Sequence, residues 1–224
     1  MKRFTDYIFV YLPTLFILFS ISWVLLYRQA PVRWTPLMLI RSIEHSRAGM
    51  DYSNRQNWVS IEDVSPVLIE AILLTEDQRF YSHNGFDTEE LRDMTMQHRF
   101  KGKDIRGCST ISQQVAKNCF TFGKRTWLRK IVEAYYTILI ELFWGKNRIL
   151  EVYLNIAETG RGLFGVEAAC QRYFCHSAKE ISISDAAALA CVLPKPLTRT
   201  PSLVKSLHAH RHSMVASELG KRLN

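Results

Sequence analysis

Residues 75–87, TEDQRFYSHNGFD, set two carboxylates side by side, Glu76 and Asp77, where an apolar run, VLIEAILL, gives way to a polar, turn-rich segment. A carboxylate at such an edge can take a proton from a reacting hydroxyl, or it can simply end a helix. A second constellation lies in GCSTISQQVAKN, residues 107–118. On a helix, Thr110, Gln114 and Lys117 fall on one face, flanked by Gln113 and Asn118. With Ser109 added, this face is rich in donors and has no acid, which is what a phosphate or other oxyanion needs. A plain solvated face is the alternative.

The third constellation is Arg129, Lys130 and Glu133, which share a helix face by spacing. A surface ion pair would have the same spacing. Glu133, however, begins an otherwise apolar helix beside Lys124, Arg125, Arg129 and Lys130. An acid so placed could hold a divalent metal that in turn holds a diphosphate. Gly160, Gly162 and Gly165 follow a helix rather than a strand, so a dinucleotide loop is not expected. Close backbone approach or positive φ is their expected use.

These groups need elements to position them. Ser65-Pro66 marks a helix start ahead of VLIEAILL. Residues 88–107 begin helically and end in a Gly-containing basic stretch, read as mobile. In STISQQVAKNCFTF the apolar stripe is Ile111, Val115 and Cys119. Two long helices follow, broken near Gly145 and closed by Gly160. SISDAAALACVLPKP is an Ala-rich helix with Ser182 and Asp185 as a capping box, stopped by Pro194 and Pro196. After residue 58 the sequence shows no alternating strand pattern. The expected class is mainly α.

The chain has 224 residues, 47% hydrophobic and 22% charged, enough for one folded domain with an appendage. Its net charge of +8 points to an anionic partner. Residues 101–130 hold eight Lys or Arg against one acid, Asp104, nearly the whole excess. From Tyr7 to Tyr27, 21 residues carry no charge and are long enough to cross a bilayer. A cleaved signal peptide is the rival, but Arg28 and Gln29 make a poor cleavage site before Ala30-Pro31. Lys2 and Arg3 compete with Arg28 and Arg33, so charge alone does not orient the span. The expected division is an anchor over 1–30, a stalk over 31–57 and a domain over 58–224. The five cysteines form no C-x-x-C motif and read as small buried apolar residues.

EDQRFYSHNGFD, GCSTISQQVAKN, RKIVE, KNRILEVYLN and GLFGVEAACQRYF, in this order, resemble the five signature motifs of glycosyltransferase family 51, the peptidoglycan glycosyltransferases. The resemblance covers about residues 58–200. It implies a lysozyme-like, two-lobed helical fold with a single transmembrane helix, in the inner membrane with the catalytic domain on the periplasmic side. It implies polymerisation of lipid II into β-1,4 glycan with inversion and release of undecaprenyl diphosphate. By motif position Glu76 is the expected base, with Glu133 as the second catalytic glutamate and a possible ligand for Mg2+ or Mn2+. The implied substrate-binding residues are Asp77, Phe80, His83, Ser109, Thr110, Gln114, Lys117, Asn118, Arg125, Arg129 and Lys130.

Expected partners are lipid II, the growing lipid-linked glycan, the membrane and other cell-wall synthesis or division proteins; nucleic acid is not expected. Cys108 stands where many members carry Gly, and the AETGRGLFG turn also varies. Ser202 to Lys205 has Ser-x-x-K form, but no Lys-Thr-Gly follows, so no transpeptidase domain is expected.

Two other functions remain open on these residues. A lysozyme-like lytic enzyme would also use a glutamate, but hydrolysis releases no diphosphate and needs no dense cationic face. A non-catalytic membrane scaffold would need the basic charge but not Glu76. Residues 88–106, with Met94, Met96 and Phe100, are also expected to dip into the membrane.

Overall fold

The computed structural model describes residues 10–49, 55–101, 109–123 and 126–223, without the side chains of residues 97, 98, 100 and 101. Arg125, Cys108 and the basic stretch over 102–106 therefore lie outside the described residues, as does the Phe100 side chain.

Helix α1, Leu12–Gln29, is long and apolar enough to cross a membrane. Pro13 falls in its first turn, where the missing N–H costs no intrahelical bond. The C-terminal half of α1 packs on the rest of the chain. Val24 and Ser20 are fully buried. Ser20 Oγ and Tyr135 Oη are 2.6 Å apart, and Trp144 Nε1 donates to the Val24 carbonyl at 2.8 Å. The Arg148 guanidinium donates to the carbonyls of Tyr27 and Ala30, satisfying oxygens that the helix end leaves open.

Residues 31–49, within the segment expected to be a stalk, are folded. Thr35 caps helix α2, Pro36–Arg47, by accepting from the Met38 N–H, and Pro36 opens the helix. Val32 and Met38 are fully buried, so this helix belongs to the core. The prolines that interrupt the sequence pattern mark its entry.

Three further capped helices carry the motif residues. Ser65 caps α3, Pro66–Glu76. After α4, Thr88–Lys101, comes α5, Ile111–Phe120, closed by a capping box between Thr110 and Gln113. Thr126 caps α6, Trp127–Phe143, and Gly145 is the N-cap of α7, Lys146–Ile156. The break near Gly145 is where the sequence puts it. Helix α7 ends at Ile156 rather than Gly160, because the chain turns there into a small sheet.

That sheet is what the sequence reading lacks. Strand β1, Arg55–Gln56, pairs parallel with β3, Leu163–Phe164, which pairs antiparallel with β2, Glu158–Gly160. Strands of two or three residues are too short to show alternation. The glycines make the hairpin possible. Gly165 has φ +80°, and a Cβ there would lie 2.7 Å from the Asn155 carbonyl oxygen. A Cβ on Gly160 would collide with the Tyr173 hydroxyl.

Helices α8, Val166–Phe174, α9, Ile183–Val192, α10, Pro201–Leu207, and α11, Ala209–Leu223, complete the fold. Helix α5 packs against α2, α6 and α7, while α9 packs against α3, α10 and α11. Ile111, Val115 and Cys119 form the fully buried stripe of α5 that the sequence predicts. Cys119, Cys170 and Cys191 are buried as expected, and Cys175 is exposed. Burial pushes the Cys170 thiol up to about 12, so it stays protonated and inert near neutral pH.

Candidate active site

Glu76 is the last residue of α3, and Asp77 is the C-cap that breaks the helix. The break points the two neighbouring carboxylates to different surroundings. Asp77 is buried and engaged on several sides. Its carboxylate accepts from His83 Nε2 at 2.9 Å and from the Ile111 backbone N–H at 2.9 Å. The Gly85 N–H donates to His83 Nδ1, so the ring proton belongs on Nε2, where it meets Asp77. Thr110 Oγ1 donates to the Gly85 carbonyl at 2.7 Å. This network fastens the loop after α3 onto the N-terminus of α5.

Glu76 is half-buried and opens into a cleft of about 1420 Å³, a volume beyond the usual range for a drug-sized ligand. Gln114 Nε2 donates to Glu76 Oε2 at 2.9 Å. Burial raises the Glu76 carboxyl above the ordinary carboxylate range, opposed by the Gln114 hydrogen bond and by the charges of Arg211 and Lys117, with Asp77 adding to the rise. A carboxylate with a raised pKa and an open face is a competent general base.

Ser109, Gln114, Lys117 and Asn118 also line this cleft. Lys117 is an exposed residue of the cleft lining, yet burial of its ammonium pushes its pKa below the ordinary lysine value. Glu133 and Glu76 oppose that shift, while Arg129 and Lys130 add to it. The Asn118 side-chain oxygen is buried and has no hydrogen-bond partner among the described residues.

The remaining expected site residues are placed differently. Thr110 does not share the open face with Gln114 and Lys117; it is the buried N-cap of α5. Phe80 is 1% exposed and packs edge-on against His83, beneath the Lys146 ammonium. Phe80, His83, Asp77 and Thr110 therefore support the cleft and do not line it. Asp77, Phe80 and His83 were expected at the site by motif position and Thr110 by spacing, and neither separates a wall from the groups behind it.

Glu133 is 2% exposed, which excludes an ordinary surface ion pair. Arg129 donates to its Oε2 at 3.0 Å, and Lys130 donates to its Oε1. The donor set does not fit the divalent cation expected at Glu133, since both carboxylate oxygens already accept from cations. Asp77, His83 and Asp87 bring ligand-type atoms within 4.8 Å of one another. Those atoms are likewise committed, with Asp87 held by Arg79 and by the Glu90 N–H.

The cleft also contains residues that the sequence does not reveal as functional. Arg211 and Lys195 come from the C-terminal helices and the loop after α9, and Tyr153 from the apolar face of α7. Arg41 and Glu158 form part of the wall. Tyr153, Arg41, Glu158 and Lys195 stand in no donor-rich run, and Arg211 stands in a His-rich run, HAHRHS, that points to no chemistry by itself.

Comparison with known proteins follows the same lines. The transglycosylase family model matches residues 43–220. The chain is 47% identical over 182 residues to the biosynthetic peptidoglycan transglycosylase of Bdellovibrio bacteriovorus, covering 81% of this chain and 72% of that protein. It is 46% identical over 184 residues to the Haemophilus influenzae protein of the same description, with 80% and 75% covered. For the Chromohalobacter salexigens protein of that description the identity is 42% over 204 residues, 91% and 87% of the two chains. With Glu76, Ser109, Gln114, Lys117 and Asn118 at one cleft and the family match running over residues 43–220, this protein belongs to the transglycosylase family.

Proposed function

We propose that the chain polymerises lipid II in this cleft, with Glu76 as general base and Lys117, backed by Arg129 and Lys130, facing the departing diphosphate. The acceptor 4-hydroxyl attacks the anomeric carbon of the lipid-linked donor, and its proton passes to the Glu76 carboxylate. The bond from the anomeric carbon to the diphosphate oxygen breaks, and undecaprenyl diphosphate leaves with inversion at that carbon. The observation carrying this reading is the half-buried Glu76 carboxylate, held by one neutral donor, in the same cleft as Lys117.

Gln114 orients Glu76 without taking its proton. Ser109, Asn118 and Gln114 offer further polar contacts to the sugar and diphosphate. Glu133 keeps Arg129 and Lys130 extended on one helix face, close enough to influence Lys117. A lytic enzyme would not need that cationic group.

Helix α1 anchors the chain in a membrane. On this reading the membrane is the bacterial inner membrane and the cleft faces the periplasm, which the resemblance to the family supports. Trp127, 87% exposed, lies on the helix that carries Arg129 and Lys130, with Leu128 and Ile131 exposed beside it. Such a mix of apolar and cationic groups suits the headgroup region, where lipid II presents its diphosphate.

The test uses the full-length protein in detergent with lipid II, and polymer length is read on a gel. The parent should form polymer, and Glu76→Gln should form little or none. Equal polymer from both would overturn Glu76 as the base, and shortening of existing glycan would favour the lytic reading.

A further inference from the structure

Arg41 lies ahead of residues 43–220, the stretch matched by the family model, and outside all five motifs. It still reaches the cleft because α2 packs against α5, and it shares the lining with Gln114, Lys117 and Asn118. Across the cleft wall its guanidinium grips Glu158. Nε donates to Oε1 at 3.0 Å and Nη2 to Oε2 at 2.9 Å. Nη1 donates to Glu44 at 2.8 Å. Glu158 follows α7, at the start of β2, and is buried. Burial raises its carboxyl above the ordinary range, and Arg41 opposes the rise without cancelling it.

A buried carboxylate is a poor lining for a cleft that receives a diphosphate, unless it holds a cation for that ligand. The fork that Arg41 presents to Glu158 is the geometry with which guanidinium binds a phosphate. The geometry points to Arg41 as a further substrate contact, held on Glu158 and transferred to a phosphate oxyanion of the lipid-linked substrate when that substrate binds. This inference rests on the proposed function, and it makes the segment between anchor and motifs a working part of the cleft. Glu158 and Glu44 are then positioning residues that keep the guanidinium extended.

The test pairs Arg41→Gln with Glu158→Gln in the full-length protein. Binding of inorganic pyrophosphate is measured by calorimetry, and KM and kcat for lipid II are measured separately. If the inference holds, Arg41→Gln weakens pyrophosphate binding and raises KM about tenfold, the scale of one lost charge-assisted hydrogen bond, with kcat within about twofold. Glu158→Gln removes the competitor and tightens pyrophosphate binding. A merely structural ion pair makes the two substitutions act in the same direction, or leaves pyrophosphate binding unmoved, and either result overturns the inference.

Thermal melting checks folding. If Arg41→Gln does not fold, Arg41→Lys replaces it; this keeps the charge but loses the fork, and it should weaken binding less. Tightening by Glu158→Gln is still required. The calorimetry needs no turnover, so a parent that binds pyrophosphate but makes no polymer would break the proposed function and leave this inference standing.

Discussion

The two glutamates expected to act together, Glu76 and Glu133, sit in opposite electrostatic settings. Glu76 ends a helix, faces the cleft and accepts from the neutral amide of Gln114. Glu133 lies within a helix, is shut from solvent and accepts from two cations of its own helix. The first has an open oxygen and a raised affinity for a proton. The second has both oxygens committed. On the proposed function, two residues of one type in one family motif set divide the work: one moves a proton and the other holds positive charge in place.

Substitution of both glutamates is the strongest way to break this contrast. Glu76→Gln should lower kcat by about 10²–10⁴ with little change in KM, because it removes a group used in the transition state. Glu133→Gln should act mainly on KM, raising it about tenfold to a hundredfold as Arg129 and Lys130 lose their common partner. Steady-state kinetics on lipid II separates the two, and loss confined to kcat in both would dissolve the distinction.

A smaller effect is expected at the neighbouring acid. Asp77→Asn keeps the shape but weakens the acceptor shared by His83 and the Ile111 N–H. It should cost about 2–3 kcal/mol, lowering Tm by roughly 2–4 °C per kcal/mol in a melting curve. The fall in activity should follow the fall in folded protein. A kcat loss as large as that of Glu76→Gln, without unfolding, would make Asp77 a catalytic partner.

The pH profile sharpens the picture of Glu76 itself. Its carboxyl must be ionised to act, so the acidic limb of kcat/KM should lie above the ordinary carboxylate value. The Gln114 hydrogen bond favours the ionised form, so Gln114→Ala should move that limb to higher pH. A shift to lower pH would mean that Gln114 stabilises the protonated acid.

The smallest effect concerns stability. An acid whose folded pKa is raised binds more protons folded than unfolded, so it weakens the fold as pH rises through that window, and the cost persists above it. At neutral pH Glu76→Gln should therefore melt slightly higher than the parent, and at pH below the ordinary carboxylate value the difference should vanish. A lower Tm at neutral pH would mean that the charge supports the fold rather than straining it.

Much of this molecule is legible as sequence because local rules set it. The stripe of Ile111, Val115 and Cys119 fixes which face of α5 is inside. Ser65-Pro66 and Ser182 fix helix starts, and an uncharged run sets the anchor. Gln114 and Lys117 can be chosen as site residues because donors at helical spacing must share a face, and Glu76 through the motif resemblance. The packing of α2 on α5 could not be read, since two prolines hide a helix and its apolar face is short. The three-stranded sheet left no pattern, because strands of two or three residues have no period.

Which residues face the cleft was decided by tertiary structure alone. Spacing puts Thr110 beside Gln114, but the capping bond and Gly85 turn its hydroxyl inward. Motif position puts Phe80 and Asp77 at the site, but the turn after α3 leaves them behind the wall. Arg41, Glu158, Lys195 and Arg211 reach the cleft from segments far apart in the chain, through contacts between helices that no local pattern encodes. The sequence determined the chemical groups and the elements that carry them; long-range packing decided their exposure, and with it their pKa and their roles.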